Sequence, residues 1–521
     1  MKKADKFILL LILLIGIYFR FSRITDFQYW SGDEQLFYYI VRHIVVDGHL
    51  SLTVPNTAIG AGLGSVFHLL VSPWYLINNL NPEKILVLGN FIGLINIFLI
   101  YLAGKTVGGK KVGFISAFLY ATSFMSTLFD HRFWALTPSV ALVSLSIIGF
   151  TNTLKGKQIY FPLIAFPIGF MLNSDPSLGV IALTCLLFFI IFRPRIQKKY
   201  LLVATGVFLL LISTLIIFDF RHNFNNVKSV FSHANARIEE TDNTRTRSRN
   251  IFIEQTTSFG RFLFAKPSKS ADSYFCYCFL DDGPNGALII TSIILITFIF
   301  IAFKKRKKEY LLLLLYLVSY LIGILGFREI LEGNPAFFYA IVVSPIIFII
   351  TSIVISKNKN ILILFLAFYF LANLSAFQNS SFKYPLKDKM SLVQKTIEQI
   401  PDNSDYSLYH SGDILLAGGG WSALFNYYGK PPVMGNLPLY WGHAYEAYDL
   451  YPVKFDFNEQ KYVVVLSESS KERFLETEPV FSTKVNNIRS DIYDNSEVWF
   501  DNKNNIERLY QPNYFSDPTR I

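Results

Sequence analysis

Residues 286–327 read GALIITSIILITFIFIAFKKRKKEYLLLLLYLVSYLIGILGF, two long apolar runs separated by five consecutive basic residues. Each run approaches the ~20 residues that an α-helix needs to cross a lipid bilayer. A basic turn between two such runs is typical of a cytoplasmic loop, because these loops collect Lys and Arg. The stretch therefore predicts an α-helical polytopic membrane protein and assigns one of its loops to the cytoplasmic side.

The same basic signature recurs at every second gap between apolar runs. Six segments hold 19 Lys and Arg, with Asp5 and Glu309 as their only acidic neighbours: residues 2–6, 105–111, 155–157, 193–199, 304–308 and 357–359. Eleven spans fit this spacing, at about 7–22, 84–103, 112–129, 133–150, 158–172, 177–193, 199–219, 286–303, 309–327, 336–356 and 361–377. The pattern predicts an integral plasma (inner) membrane protein with a cytoplasmic N-terminus and an extracytoplasmic C-terminal domain.

Composition supports a membrane protein and argues against a nucleic-acid-binding one. The chain has 521 residues, of which 52% are hydrophobic and 17% charged, and its net charge is +10. Outside the six basic segments 29 basic residues face 36 acidic ones, so the positive surplus reflects topology and not a nucleic-acid partner. The opening MKKADKFILLLILLIGIYF resembles a signal peptide, but Arg20 and Arg23 follow in place of a small-residue cleavage site. We expect a retained anchor.

The spans divide the chain into a membrane domain, residues 1–377, and an extracytoplasmic domain, residues 378–521. Two long outer loops are expected, at 23–83 and 220–285. In the first, GAGLGSVFHLLVSPWYLINNL (60–80) is apolar enough to span, but a span there would invert every later loop, so we interpret it as an interfacial helix. The C-terminal domain is predicted to be a small α/β domain, with a helix in 390–400, a strand in 461–469, a helix in 469–476 and a strand in 497–500.

The first candidate site is WSGDEQ, residues 30–35, about ten residues beyond the first span. The adjacent carboxylates Asp33 and Glu34 can act as a general base or hold a divalent cation, since oxygen ligands suit Mg²⁺ and Mn²⁺. The alternative is structural: Asp33 caps the helix EQLFYYIVRHIV that follows, with its side chain on the first-turn amides.

Two more polar clusters are predicted on the same side of the membrane. FDHRFW (129–134) brings Asp130 and Arg132 to the outer end of the third span, where the alternative is an interfacial cluster with an aromatic anchor. FDFRHN (218–223) brings Arg221 and His222 to the outer end of the seventh span, where the alternative is an ordinary helix end. Lys84 and Arg328 are further outer cations. Because charge is scarce elsewhere in the spans, this convergence indicates chemistry at the outer interface, on a lipid-borne substrate and an extracytoplasmic partner.

The arrangement resembles the GT-C polytopic glycosyltransferases, particularly the branch with the protein O-mannosyltransferases, the lipid A aminoarabinose transferases and related bacterial lipopolysaccharide sugar transferases. The resemblance covers residues 1 to about 220. Its motifs are YWSGDEQLFYYIVRHIVVDG (29–48), SPWYLI (72–77), YLAGKTVGGKKVGFISAFLYATS (101–123) and Asp130. The family's His-Pro-Pro-like stretch is missing, and AIGAGLG (58–64) occupies its place.

The resemblance implies a GT-C fold and transfer of a sugar from a polyprenyl-phosphate donor to a lipid, glycan or protein acceptor. It makes Asp33 the catalytic acidic residue of the first loop, with Glu34 beside it, and Asp130 the acidic residue of the second. We expect Asp33 to act as the base and the reaction to invert the anomeric carbon. No cofactor is certain; a Mg²⁺ or Mn²⁺ ion shared by Asp33 and Asp130 stays open.

The cations of the outer face are assigned to the donor. A phosphate that leaves an anomeric carbon develops negative charge, which fixed cations stabilise, and the candidates are Arg132, Arg221, His222, Lys84 and Arg328. Two other functions stay open. A transporter or flippase of lipid-linked or polysaccharide substrates would need polar or broken helices at the bilayer midplane, which are scarce here. A non-catalytic family member would use its outer domain to bind a partner.

Overall fold

The structure is a computed structural model. It describes residues 3–54, 62–229, 232, 251–264, 285–331, 337–402, 404–410, 420–432, 434–435, 461–470, 473 and 478–494. The predicted helix at 469–476 lies mostly outside the described residues, and the predicted strand at 497–500 lies entirely outside them.

A bundle of apolar helices forms the first three quarters of the chain. Its helices are α1 (Lys3–Phe21), α5 (Pro82–Gly108), α6 (Lys110–Thr122), α7 (Phe124–Asp130), α8 (Ser139–Leu154), α9 (Pro162–Met171), α10 (Gly179–Phe192), α11 (Lys198–Arg221), α12 (Ile251–Leu263), α13 (Asn285–Lys305), α14 (Lys308–Leu331), α15 (Ser344–Ile355) and α16 (Lys359–Asn379). Each of the eleven predicted spans coincides with one of these helices or with a broken pair. Among the described residues, five helices are long and apolar enough to cross a membrane, or six if α6 and α7 form one span.

The third predicted span, 112–129, is not straight. Helices α6 and α7 meet at Ser123 with a bend of 67°. Ser123 has extended backbone angles, φ −66° and ψ 117°, and its hydroxyl accepts a hydrogen bond from the amide of Ser126. A serine that ends one helix and caps the next produces such a break. The bend directs the end of α7, with Asp130 to Arg132, toward the segment between α1 and α5.

In its described residues, the segment between α1 and α5 contains three helices, α2 (Ile24–Phe27), α3 (Gly32–Val45) and α4 (Val66–Ile77), and a short hairpin of β1 (Thr53–Val54) and β2 (Leu63–Gly64). Helix α4 occupies most of the apolar stretch 60–80 and confirms a helix there. The buried side of α3 packs against it: the Phe37 ring stacks on His68 with centroids 4.0 Å apart and meets Phe133 edge-on at 5.3 Å. Aromatic packing thus joins α3, α4 and the chain after α7.

The described residues of the C-terminal domain contain the strands β3 (Tyr406–His410), β4 (Met434–Gly435), β5 (Tyr462–Glu468), β6 (Phe481–Val485) and β7 (Ile488–Asp494) and the helices α17 (Leu386–Ile397) and α18 (Trp421–Tyr427). These five strands form a mixed sheet in the order β4-β3-β5-β7-β6. Strand β5 is parallel to β3 and antiparallel to β7. The predicted strand at 461–469 and the predicted helix at 390–400 are confirmed, the helix with a start four residues earlier.

The C-terminal domain lies directly on the segment between α1 and α5. The amide of Phe382 donates to the carbonyl of Asp26 at 3.2 Å, and the amide of Leu386 donates to the carbonyl of Gln28 at 3.1 Å. The chain entering α17 therefore runs beside the chain entering α3. This contact places α17 and α18 next to the Asp33–Glu34 pair.

Candidate active site

Glu34, and not Asp33, caps the start of α3. Its Oε2 accepts hydrogen bonds from the backbone amide of Ser31 at 2.9 Å and from the Ser31 hydroxyl at 2.6 Å. Ser31 is the residue that precedes the helix, and its side chain completes the reciprocal arrangement of a capping box. The interpretation that Asp33 serves as the helix cap is therefore wrong, which leaves the Asp33 carboxylate for another role.

Arg132 joins the two carboxylates. Its Nε lies 2.5 Å from Oε1 of Glu34 and its Nη2 lies 3.5 Å from Oδ2 of Asp33. The guanidinium also lies over the rings of Trp134, at 3.7 Å, and Tyr29, at 4.6 Å. Both carboxylates and both rings face one planar cation, so the second-loop cluster and the first-loop motif form a single site.

The two acids differ in their exposure. The Glu34 side chain is fully buried and both its oxygens are engaged, whereas the Asp33 side chain is 36% exposed. Desolvation raises the pKa of Asp33 to about 6, with Arg132 acting in the opposite direction and the charges of Glu34 and Asp175 adding to the rise. Asp33 is thus the carboxylate that can reach a substrate, and its pKa suits a general base near neutral pH.

Asp130 belongs to a neighbouring polar cluster. Its Oδ2 lies 2.7 Å from Nη2 and 2.9 Å from Nε of Arg20, and the Tyr120 hydroxyl donates to both carboxylate oxygens at 2.9 and 3.0 Å. Asn96 in turn donates to that hydroxyl at 3.1 Å. The described contacts therefore hold Asp130 between α1 and α6, and they do not bring it onto Asp33.

The other predicted phosphate ligands are dispersed. Lys84 is exposed in the first turn of α5, where its amide binds the capping side chain of Asn81. Arg221 and His222 are exposed at the end of α11, and the His222 ring stacks on Phe218 with centroids 4.1 Å apart. Arg328 lies in α14, but its side chain is outside the described residues. Among the described contacts, Arg132 alone of these cations reaches the carboxylate pair.

Sequence reasoning missed three charged residues around the site. Arg20 is completely buried against Asp130, 110 positions away. Asp175, which follows α9, adds negative charge near Asp33 and caps the turn at Ser177. Lys389 of α17 is 2% exposed and donates to the carbonyl of Trp30 at 2.7 Å. Arg20 has one local signal, its position at the end of an apolar span, and nothing in the sequence around Asp175 or Lys389 signals a distant partner.

Burial also affects the pKa of Lys389. Desolvation lowers it to about 7, and the negative charge of Glu34 acts in the opposite direction. The same Glu34 carboxylate therefore interacts with Arg132 from the membrane domain and with Lys389 from the C-terminal domain.

For metal binding, the described residues contain no group of three or more His, Cys, Asp or Glu that could hold an ion.

The chain is similar to one protein family model and to several solved structures. The family model described as dolichyl-phosphate-mannose-protein mannosyltransferase matches residues 66–218. ArnT from Cupriavidus metallidurans in the apo state has a similar structure, with a TM-score of 0.62 at 11% identity over 95% of this chain and 99% of that one. The oligosaccharyltransferase of Archaeoglobus fulgidus in the apo form matches with a TM-score of 0.51 at 15% identity, over 89% of this chain and 70% of that one. No curated protein sequence matches.

The apolar helices and the similar structures support an integral membrane protein with a GT-C fold. Its fold is similar to that of the GT-C glycosyltransferases, and residues 66–218 match the mannosyltransferase family model, in agreement with the resemblance noted in the sequence. A second ArnT structure, bound to undecaprenyl phosphate, matches with a TM-score of 0.56 at 10% identity over 93% of this chain and 97% of that one.

Proposed function

We propose that the protein transfers a sugar from a polyprenyl-phosphate donor to an extracytoplasmic lipid, glycan or protein, with Asp33 as the general base. The observation that carries the proposal is the pairing of a partly exposed Asp33 with the buried Arg132–Glu34 ion pair. Support for the donor class comes from the similar ArnT structure, which contains undecaprenyl phosphate.

Glu34, Arg132 and Asp33 have different proposed roles. Glu34 holds the first turn of α3 through Ser31 and fixes Arg132 through its other oxygen. Arg132 keeps the Asp33 carboxylate ionised at neutral pH, because its charge opposes the effect of burial. Asp33 then accepts the proton of the acceptor hydroxyl. Arg132 is already paired with both acids. We therefore assign it to the stabilisation of the Asp33 carboxylate instead of to the binding of the donor phosphate.

The reaction is a single displacement. The acceptor oxygen attacks the anomeric carbon as its proton passes to Asp33; the new glycosidic bond forms, and the bond to the phosphate oxygen breaks. Polyprenyl phosphate leaves with the electron pair, and the anomeric configuration inverts. The negative charge on the leaving phosphate is stabilised by cations, and the proposed candidates remain Lys84, Arg221, His222 and Arg328. Asp130 is proposed to position Arg132, which follows it two residues later in the chain.

The test is turnover of defined donors. Full-length protein in proteoliposomes is given undecaprenyl phosphate linked to glucose, galactose, mannose or 4-amino-4-deoxyarabinose, with an envelope extract as acceptor. We expect release of undecaprenyl phosphate from at least one donor. Donor that crosses the bilayer with its sugar bond intact would support a transporter and contradict the proposal, as would a panel with no turnover and no movement.

The proposed orientation, with the carboxylate pair outside, has its own test. In a variant whose three native cysteines are replaced by serine, single cysteines are placed at two exposed positions, Asp47 after α3 and Lys157 after α8. An impermeant maleimide applied to intact cells is expected to label position 47 and not position 157. The reverse pattern would place Asp33 in the cytoplasm.

A further inference from the structure

Residues on both sides of the Asp33–Glu34 pair are bound by the C-terminal domain. Before the pair, the indole Nε1 of Trp30 donates to the carbonyl of Gly420 at 2.8 Å. After it, Oε1 of Gln35 accepts hydrogen bonds from the Ser422 hydroxyl at 2.8 Å and the Ala423 amide at 3.0 Å. The start of α18 is therefore hydrogen-bonded to the chain on both sides of the carboxylate pair, at Trp30 and at Gln35.

A buried lysine supplies a third contact. Lys389 donates to the carbonyl of Trp30 at 2.7 Å, and its ammonium lies 5.3 Å from the ring centre of Trp421. Taking an ammonium group out of water is costly unless it is paired and hydrogen-bonded. The contacts of Lys389 lie next to the carboxylate pair, and the negative charge of Glu34 also acts on its ammonium group. The groups that compensate for the burial of Lys389 therefore belong to the site.

Gly420 shows how close the two domains are. A Cβ at this position would lie 2.6 Å from the carbonyl oxygen of Ser31 and 2.6 Å from the indole nitrogen of Trp30. Such distances are too short for any side chain, so only glycine allows α18 to approach α3. Its φ of +68° is a second reason for glycine there.

We propose that the C-terminal domain is part of the catalytic apparatus, with Lys389 as a positioning residue that holds the Trp30 carbonyl, and with it the Asp33–Glu34 turn, in the geometry for transfer. This inference rests on the proposed function, because Lys389 is proposed to position Asp33, the general base of that function. In this proposal, docking of α17 and α18 on α3 is required for the chemical step.

The test compares two lysines of α17. Lys387→Met is the matched control, because Lys387 contacts the chain before α3 through a half-buried pair with Asp26 at 2.7 Å. Lys389→Met is expected to lower kcat about 10- to 100-fold, with the donor KM within about threefold and Tm unchanged, while Lys389→Arg restores part of the loss. Hydrogen exchange in residues 28–36 should increase in Lys389→Met alone. Wild-type kcat in Lys389→Met would overturn the proposal.

A second pair of variants decides the matter if Lys389→Met does not fold. Gly420→Ala and Gly429→Ala both place a side chain at a positive φ, but a Cβ at Gly429 meets nothing within 4 Å. Gly420→Ala is expected to lose kcat and Gly429→Ala to keep it; equal activity of the two would overturn the inference. Loss of turnover in Asp33→Asn with full activity in Lys389→Met and Gly420→Ala would reject this inference alone. Full activity in Asp33→Asn would reject the proposed function itself.

Discussion

Replacing Asp33 by asparagine is expected to lower kcat about 10³-fold while the protein folds normally. A positioned general base contributes roughly 10²- to 10⁴-fold to a proton transfer, and asparagine keeps the shape of the side chain but cannot accept the proton. Tm should change little, because the Asp33 side chain is 36% exposed and its ion pair with Arg132 is 3.5 Å long. The measurement is release of undecaprenyl phosphate from the donor that the wild type uses.

The control for this variant is Asp47→Asn. Asp47 is an exposed acid just beyond the other end of α3, where it contacts His43 at 2.9 Å. It should keep wild-type turnover, because it lies outside the carboxylate pair. Equal activity of Asp33→Asn and Asp47→Asn would remove Asp33 as the base.

The second large effect is expected from Arg132→Met. The substitution leaves the Glu34 carboxylate fully buried with only the Ser31 donors, and breaking one side of a buried ion pair costs about 3–5 kcal/mol. We expect a drop in Tm of several degrees, measured in detergent. Turnover should also fall at least about tenfold, because without the Arg132 charge the pKa of Asp33 rises further and less of the base is ionised.

Two further variants isolate the cause. Arg42→Met removes a cation from the same helix as the carboxylates, but its pair with Asp47 is 3.9 Å long and 31% exposed on the arginine side, so Tm should stay within error. The double variant Arg132→Met, Glu34→Gln removes the stranded charge and should recover most of the lost stability. A double variant no more stable than Arg132→Met would mean that Glu34 is not what Arg132 stabilises.

Much of the fold could be predicted from sequence because its signals are local. Apolar run length and the basic turns depend on neighbouring residues, and each of the eleven predicted spans overlaps a helix or a broken pair of helices. The bend at Ser123 escaped this reasoning. A serine within an apolar run is compatible with a straight helix, and only its cap on Ser126 and its bond to the Phe262 carbonyl select the break.

The candidate site was predicted in part, for the same reason. The motif at 30–35 and the cluster at 129–134 each stand out locally, but their junction through Arg132 spans 98 positions. The alternative interpretation of Asp33 as the helix cap is wrong because Ser31 and Glu34 form the capping box. The pairs Arg20–Asp130 and Lys389–Trp30 join residues 110 and 359 positions apart, and only the packed structure reveals such partners.

The central claim is that Asp33, desolvated but still open to substrate, removes the acceptor proton. The pH dependence of kcat/KM tests it most directly. Because the base must be deprotonated and burial raises the pKa of Asp33 to about 6, the rate should be constant above that pH and fall about tenfold per unit below it. A profile that stays flat down to pH ~4.5, near the range of an unperturbed aspartate, would contradict the account.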